Sequence, residues 1–153
     1  MPAYREGRVM NWPIPVKWVD RWKRFEQSGR HAKHPYRCPA GYLTIGWGRN
    51  LDGRGLSEDE ADYLLKNDIN DAMADLDRTW PWWRNPPMQV QGVILDMCMN
   101  MGMYKLAGFI KFADALQRGN YEQAADEMLD SKWHREDVGP RATELANIVR
   151  SFA

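Results

Sequence analysis

Glu26 is the side chain in this sequence best suited to move a proton. It follows Phe25 and stands one turn after Trp22, at the end of a run whose apolar residues recur at helical steps. Apolar neighbours disfavour a carboxylate, and the negative pole of a helix C-terminus repels one, so both effects raise its pKa. A glutamate kept protonated near neutral pH can donate its proton to a leaving oxygen. The position suits equally a surface glutamate that merely ends a helix, and spacing alone leaves both readings open. Eight tryptophans are many for 153 residues. They fit an aromatic core, or a cleft whose indole faces stack on flat or ring-shaped ligands such as sugars. Cys38 and Cys98 are too few for a disulfide scaffold and lack metal-ligand spacing. His31, His34 and His134 are scattered, so neither a metal site nor a cofactor is expected. Met97, Met99, Met101 and Met103 fit core and helix-end packing. The stretch GWGRNLDGRG lacks the strand–turn–helix context of a phosphate cradle.

These residues need elements to hold them. Val16, Val19, Trp22 and Phe25 recur at three- and four-residue steps, which predicts a helix over about Pro15 to Glu26. From Gln27 to Gly55 that period vanishes. Glycines, two prolines and the β-prone run from Tyr42 to Trp47 predict a small, twisted antiparallel sheet with tight turns. Ser57 and Glu60 then form a capping box. Behind it Ala61, Leu64, Leu65, Ile69, Ala72, Met73 and Leu76 make one continuous apolar stripe, which ends before TWPWWRNPP. Val90, Val93, Ile94, Met97, Cys98 and Met101 mark a helix stopped by Gly102. Leu106, Phe109, Ile110, Ala113 and Leu116 mark another, closed by Gly119. A short amphipathic helix runs from Tyr121 to Leu129, and Pro140 opens a last one carrying Leu145, Ala146, Ile148, Val149 and Phe152. The expected class is α+β: one domain over 1–153, with a small antiparallel β-lobe (about 27–56) and a larger helical body (about 15–26 and 57–153). A cleft between such lobes is a natural binding place.

Composition bounds the function. The chain is 44% hydrophobic and 27% charged, enough to build a core. Lys plus Arg and Asp plus Glu both total 21, so the formal net charge is zero. A protein that gripped nucleic acid or anionic lipid chiefly through its field would carry a basic surplus. No apolar stretch approaches the ~20 residues that span a bilayer, so no stable membrane insertion is expected. The opening segment mixes charges and prolines and lacks a signal peptide's apolar region, which predicts a chain that starts as a soluble cytoplasmic protein.

The segment after Glu26 carries a signature. Tyr36, Cys38, Gly41, Thr44, Ile45, Gly46 and Gly48 read Y-x-C-x-x-G-x-x-T-I-G-x-G behind a helix-terminal F-E. This resembles the active-site pattern of the phage-type (T-even-like) lysozymes, the muramidases of glycoside hydrolase family 24. The likeness continues through GRNLDGRGLSEDEADYLLKND, Asn100 to Gly102, GFIKFADALQRGNYEQAADEMLDSKW and PRATELANIVR, from about Val19 to Phe152. Eleven residues separate Glu26 from Cys38, three more than in the family, and the surplus falls in SGRHAKHP, where a loop tolerates it. One extra residue also lies between Trp133 and Arg141.

The resemblance implies a lysozyme-like fold and an endolysin that hydrolyses the β-1,4 bond between N-acetylmuramic acid and N-acetylglucosamine in peptidoglycan. It makes Glu26 the general acid of an inverting reaction, with Thr44 positioning the water and Cys38 at the family's variable Asp-or-Cys position. A free thiol is mostly neutral at pH 7 and is a weaker electrostatic partner than a carboxylate, unless a neighbour such as Arg37 lowers its pKa. The resemblance places Arg141 close to Glu26, where it would lower that carboxyl's pKa, and Asn100 where its amide would bond sugar acetamido or hydroxyl groups. Trp47 or Tyr42 would stack on a sugar. The implied partner is the glycan strand, met by a monomer that is made in the host cytoplasm and reaches the periplasm through a holin-type pore. The alternative is a lysozyme-like fold, catalytically impaired, that grips peptidoglycan without cutting it.

Overall fold

The first apolar run is helical, as its spacing predicts: in the computed structural model, which describes residues 16–25 and 31–153, α1 spans Val16–Phe25. Trp18, Trp22 and Phe25 share one side of α1, and the Arg21 guanidinium lies 5.3 Å from the Trp18 ring centre and 5.8 Å from that of Phe25. Glu26, expected to close this helix, lies outside the described residues. The described chain divides into two units, one reaching to Glu60 and the other running from Ala61 to Ala153.

In the first unit, β1 (Ala32–Arg37), β2 (Leu43–Gly46) and β3 (Arg49–Asn50) form an antiparallel sheet in that order. Tyr36 faces Thr44 across β1 and β2, and Thr44 faces Asn50 across β2 and β3. Pro35 has no N–H to give the ladder, and the register slips between Ala32 and Tyr36; β1 is an edge strand, where a proline is tolerated. The β1–β2 turn closes through Gly41, which donates to the Cys38 carbonyl at 2.7 Å with φ +87, a left-handed conformation that favours glycine. The capping box forms as the sequence predicts. Ser57 N–H donates to Glu60 Oε2 at 2.8 Å, and Glu60 N–H donates to Ser57 Oγ at 3.3 Å. Arg49 then grips both oxygens of the same carboxylate, at 2.7 and 2.5 Å, tying β3 to the start of α2 (Glu58–Thr79).

The second unit is helical. The apolar stripe on α2 is buried only toward its C-terminal end: Leu64 and Leu65 are exposed, whereas Ala72 and Leu76 are buried. Periodicity specifies a helix and a face, but burial also needs an opposing surface, and in this unit that surface begins near Ala72. The loop after α2 holds Trp80 and Trp83 in the core, with Trp83 Nε1 donating to Asp77 at 2.7 Å. Then come α3 (Met88–Met101), which Gly102 ends at φ +81, and α4 (Met103–Leu106).

One expected helix is split. Leu106 belongs to α4, and α5 runs only over Ile110–Gln117. Between them Gly108 N–H turns back to the Lys105 carbonyl at 3.1 Å, and a Cβ at Gly108 would stand 3.2 Å from that oxygen. Glycine disfavours helix and permits this approach, so the chain breaks while Leu106 and Phe112 still reach one core. Gly119 closes α5 as predicted. Its N–H donates to the Leu116 carbonyl and that of Asn120 to Ala115, a Schellman motif. Asn120 then caps α6 (Tyr121–Leu129) by accepting from Gln123 N–H at 3.1 Å. A π-helical turn, Trp133–Val138, which sequence periodicity did not signal, precedes α7 (Pro140–Arg150). A turn with five-residue bonds, such as Gly139 N–H to the His134 carbonyl at 3.1 Å, absorbs one extra residue. The mostly helical chain with its small antiparallel sheet has the expected α+β architecture.

Candidate active site

Two of the three expected catalytic positions meet on the sheet. Cys38 sits at the mouth of the β1–β2 turn, half-buried, with its N–H on the Tyr42 carbonyl at 3.0 Å. Thr44 is on β2, two residues past the turn, with only 4% of its surface exposed. Its hydroxyl donates to the Tyr42 carbonyl at 2.9 Å and lies within interaction range of the Cys38 thiol. Burial pushes that thiol up, but hydrogen bonds from the backbone of Tyr42 and Ala40, the Thr44 hydroxyl and the backbone of Gly41 stabilise the thiolate. The balance lies below the ordinary cysteine value. Arg37, the neighbour expected to produce this effect, is engaged elsewhere: its Nη1 donates to the Gly41 carbonyl at 3.0 Å and to Asp52 at 3.2 Å. Asp52, which the sequence reading did not single out, also accepts the Leu43 N–H at 2.7 Å and so fixes the strand that carries Thr44.

The expected sugar-stacking residues flank β2. Tyr42 is 51% and Trp47 41% exposed. The Trp47 ring is held between Lys23 of α1, whose Nζ is 5.4 Å from its centre, and His31 at 5.7 Å. An indole with cationic and aromatic neighbours keeps a defined orientation while part of its surface stays open.

In the helical unit, Asn100 stands at the end of α3 and accepts the Trp133 indole N–H at 2.8 Å. That bond faces the carbonyl oxygen toward the indole and leaves the amide N–H groups for another acceptor. Trp133 and Met101 wall a half-open cavity of about 740 Å³, with Phe109, Lys105, Lys111 and Glu127 among its other lining residues. A cavity of this size, lined by aromatic rings and by several charged side chains, can hold part of a polymer. Arg141, at the start of α7, is paired within its own unit: Nε and one Nη bind Asp96 Oδ1 at 3.0 and 2.8 Å. Asp96 raises the guanidinium pKa and fixes its direction. Neither the Asp96 partnership nor the Trp133–Asn100 bond had a local sequence signal. Cys98 is buried on α3, and burial, together with the charge of Asp75, pushes its thiol up.

The structure thus brings Cys38 and Thr44 together, places Tyr42 and Trp47 on the same sheet unit, and bonds Asn100 to Trp133, itself a wall of a cavity in the helical unit. Glu26 lies outside the described residues. Among the described residues, no group of three or more His, Cys, Asp or Glu side chains is placed to hold a metal ion. Compared with known proteins, residues 26–150 match the family model described as phage lysozyme. The matched span begins on Glu26 and includes Cys38, Thr44, Asn100 and Arg141. No curated protein matches the chain.

Proposed function

The chain belongs to the phage lysozyme family of peptidoglycan-degrading glycoside hydrolases, and from that premise we propose that it cuts the β-1,4 bond between N-acetylmuramic acid and N-acetylglucosamine with Glu26 as general acid. The observation that supports this reading is the convergence of Cys38 and Thr44 on the Tyr42 carbonyl, at the turn of a sheet whose sequence bears the family pattern. In the proposed reaction Glu26 protonates the glycosidic oxygen as the bond to the anomeric carbon breaks. A water attacks the opposite face of the oxocarbenium-like centre, inverting its configuration. The Thr44 hydroxyl, whose proton goes to the Tyr42 carbonyl, holds that water by accepting from it; the Cys38 thiol supports it, more strongly as its thiolate fraction rises. Asn100 donates to an acetamido or hydroxyl oxygen, and Tyr42 or Trp47 covers a sugar face. Arg141, held by Asp96, is the cation we assign to act on the acid.

The family acts on the cell wall. Among the described residues no helix is long and apolar enough to cross a membrane. We place synthesis in the host cytoplasm, followed by passage through a holin-type pore. Replacing Glu26 with Gln tests the reading. A general acid contributes about 100- to 10,000-fold, so turbidity loss of isolated peptidoglycan should slow by at least about 100-fold while the circular dichroism spectrum is unchanged. A Glu26→Gln chain that clears peptidoglycan at close to the unsubstituted rate would overturn it. The thiol at position 38 favours a second reading, a module that binds the wall without cutting it; the unsubstituted chain would then leave turbidity constant.

A further inference from the structure

Three tryptophans that the catalytic reading leaves unused, Trp80, Trp82 and Trp83, lie in the loop Trp80–Pro87, and this loop bounds a second cavity of about 260 Å³. Trp82, Asn85 and Pro86 form one wall; Gln117, Gly119 and Tyr121, around the turn from α5 to α6, form the other. The larger cavity is lined from the opposite end of α5, at Ile110 to Phe112, and the two share no residue.

The walls are rigid. Trp82 stacks on buried Trp80, with ring centres 5.1 Å apart and planes 25° apart. Tyr121 is braced edge-on by Phe152 at 6.2 Å. Gln91 Nε2 donates to the Arg84 and Pro86 carbonyls, both at 2.8 Å, and pins the loop to α3. A preformed wall costs little ordering when a ligand arrives. The two carboxamides are uncharged and keep bonding capacity: that of Asn85 has no partner among the described residues, and that of Gln117 makes a single 3.4 Å bond, to the Ala113 carbonyl. Among the described residues, no Lys, Arg, Asp or Glu lines this space. Its volume is below the ~300–1,000 Å³ of sites for drug-sized ligands, which fits one ring.

Two braced aromatic rings and two open carboxamides, with no charge, suit a neutral pyranose carrying hydroxyl and acetamido groups. We propose that this cavity is a second carbohydrate site, apart from the reacting centre, that takes one N-acetylhexosamine ring of a glycan strand. The proposal rests on the reading of the chain as a peptidoglycan hydrolase for the source of its ligand. Holding the insoluble polymer at a second point keeps the effective concentration of strand high between cuts.

The probe is a β-1,4-linked N-acetylglucosamine tetramer, titrated into the Glu26→Gln chain, which leaves it uncut, and followed by amide and indole NMR shifts. Saturable shifts at Trp82, Asn85, Gln117, Gly119 and Tyr121 are expected. A sugar face covering about 30 Å² of indole corresponds to roughly 4-fold in affinity, so Trp82→Leu should weaken these shifts by about that factor. Asn85→Ala, at an exposed position with no side-chain bond, should weaken them with no change in thermal midpoint, which keeps the test valid if the Trp82 variant unfolds. In the unsubstituted background both variants should still cleave short soluble fragments, yet sediment less with isolated peptidoglycan. Shifts confined to the larger cavity, or sedimentation unaffected by either change, would overturn the second site and leave the hydrolase intact. Failure of the unsubstituted chain to degrade peptidoglycan would instead strike the function itself.

Discussion

Asn100 is assigned two tasks, and two substitutions separate them. Its carbonyl accepts the indole N–H of Trp133, which is 4% exposed, at 2.8 Å. Its amide N–H groups are left for substrate. Asn100→Ala strands a buried donor, which costs about 1–3 kcal/mol; because Asn100 itself reaches solvent and water can partly replace it, the lower half of that range is expected. Asn100→Asp keeps an acceptor for the indole and should hold stability within about 1 kcal/mol at neutral pH, but it removes the donor offered to a sugar oxygen. Losing one neutral hydrogen bond worth about 0.5–1.5 kcal/mol lowers kcat/KM about 2- to 12-fold. Urea unfolding followed by tryptophan fluorescence reads the first effect, and initial rates on isolated peptidoglycan read the second. The Ala variant should lose both stability and activity, the Asp variant activity alone. An Ala variant as stable as the unsubstituted chain would refute the Trp133 bond, and an Asp variant with full kcat/KM would refute the contact with substrate.

Other consequences follow from the two thiols and from the Glu60 carboxylate. Cys38 is half-buried with its pKa lowered, whereas Cys98 is buried with its pKa raised, so iodoacetamide near pH 7 should label Cys38 and spare Cys98 in the folded chain; mass spectrometry showing equal labelling would contradict both environments. Cys38→Asp should retain or raise turnover and Cys38→Ser should keep part of it, since both still hold a water; complete loss in both would mark the sulfur as a nucleophile. Arg49 holds the Glu60 carboxyl well below the usual carboxylate range, helped by the Ser57 N–H. Such a group stabilises the fold fully above its unfolded pKa of about 4.3 and loses that contribution as pH falls toward the folded value. The gap in urea midpoint between the unsubstituted chain and Glu60→Gln should therefore be widest near pH 7 and narrow below about pH 4. A gap that widens on acidification would reverse the sign.

What the sequence disclosed was local. Ser57 and Glu60 are three residues apart, and a capping box follows from their types alone; Gly102 and Gly119 end their helices because few other residues take a left-handed turn. The glycine-spaced run from Tyr42 to Gly48 likewise marks its own hairpin. What it concealed was pairing at a distance. Arg141 with Asp96, Trp133 with Asn100 and Arg49 with Glu60 join residues whose separations, 45, 33 and 11, carry no periodic signal. The stripe on α2 ran on in the sequence because leucines at helical spacing look alike whether or not a partner surface opposes them. Gly108 interrupted a helix that Leu106 and Phe109 otherwise continue in phase, and its close approach to the Lys105 carbonyl is a fact of three dimensions. At the candidate site, the residue types near Cys38 were legible but their electrostatic roles were not. Arg37 is the nearest cation in sequence, yet Asp52 and the Gly41 carbonyl occupy it, and backbone groups with Thr44 act on the thiol instead.

The most direct measurement is mass spectrometry of the fragments released from isolated peptidoglycan in water enriched in oxygen-18. Acid-assisted attack by water predicts N-acetylmuramic acid reducing ends that each carry one heavy oxygen, formed by the unsubstituted chain and absent with Glu26→Gln. Anhydro ends without the label, or labelled ends released equally fast after the substitution, would contradict it.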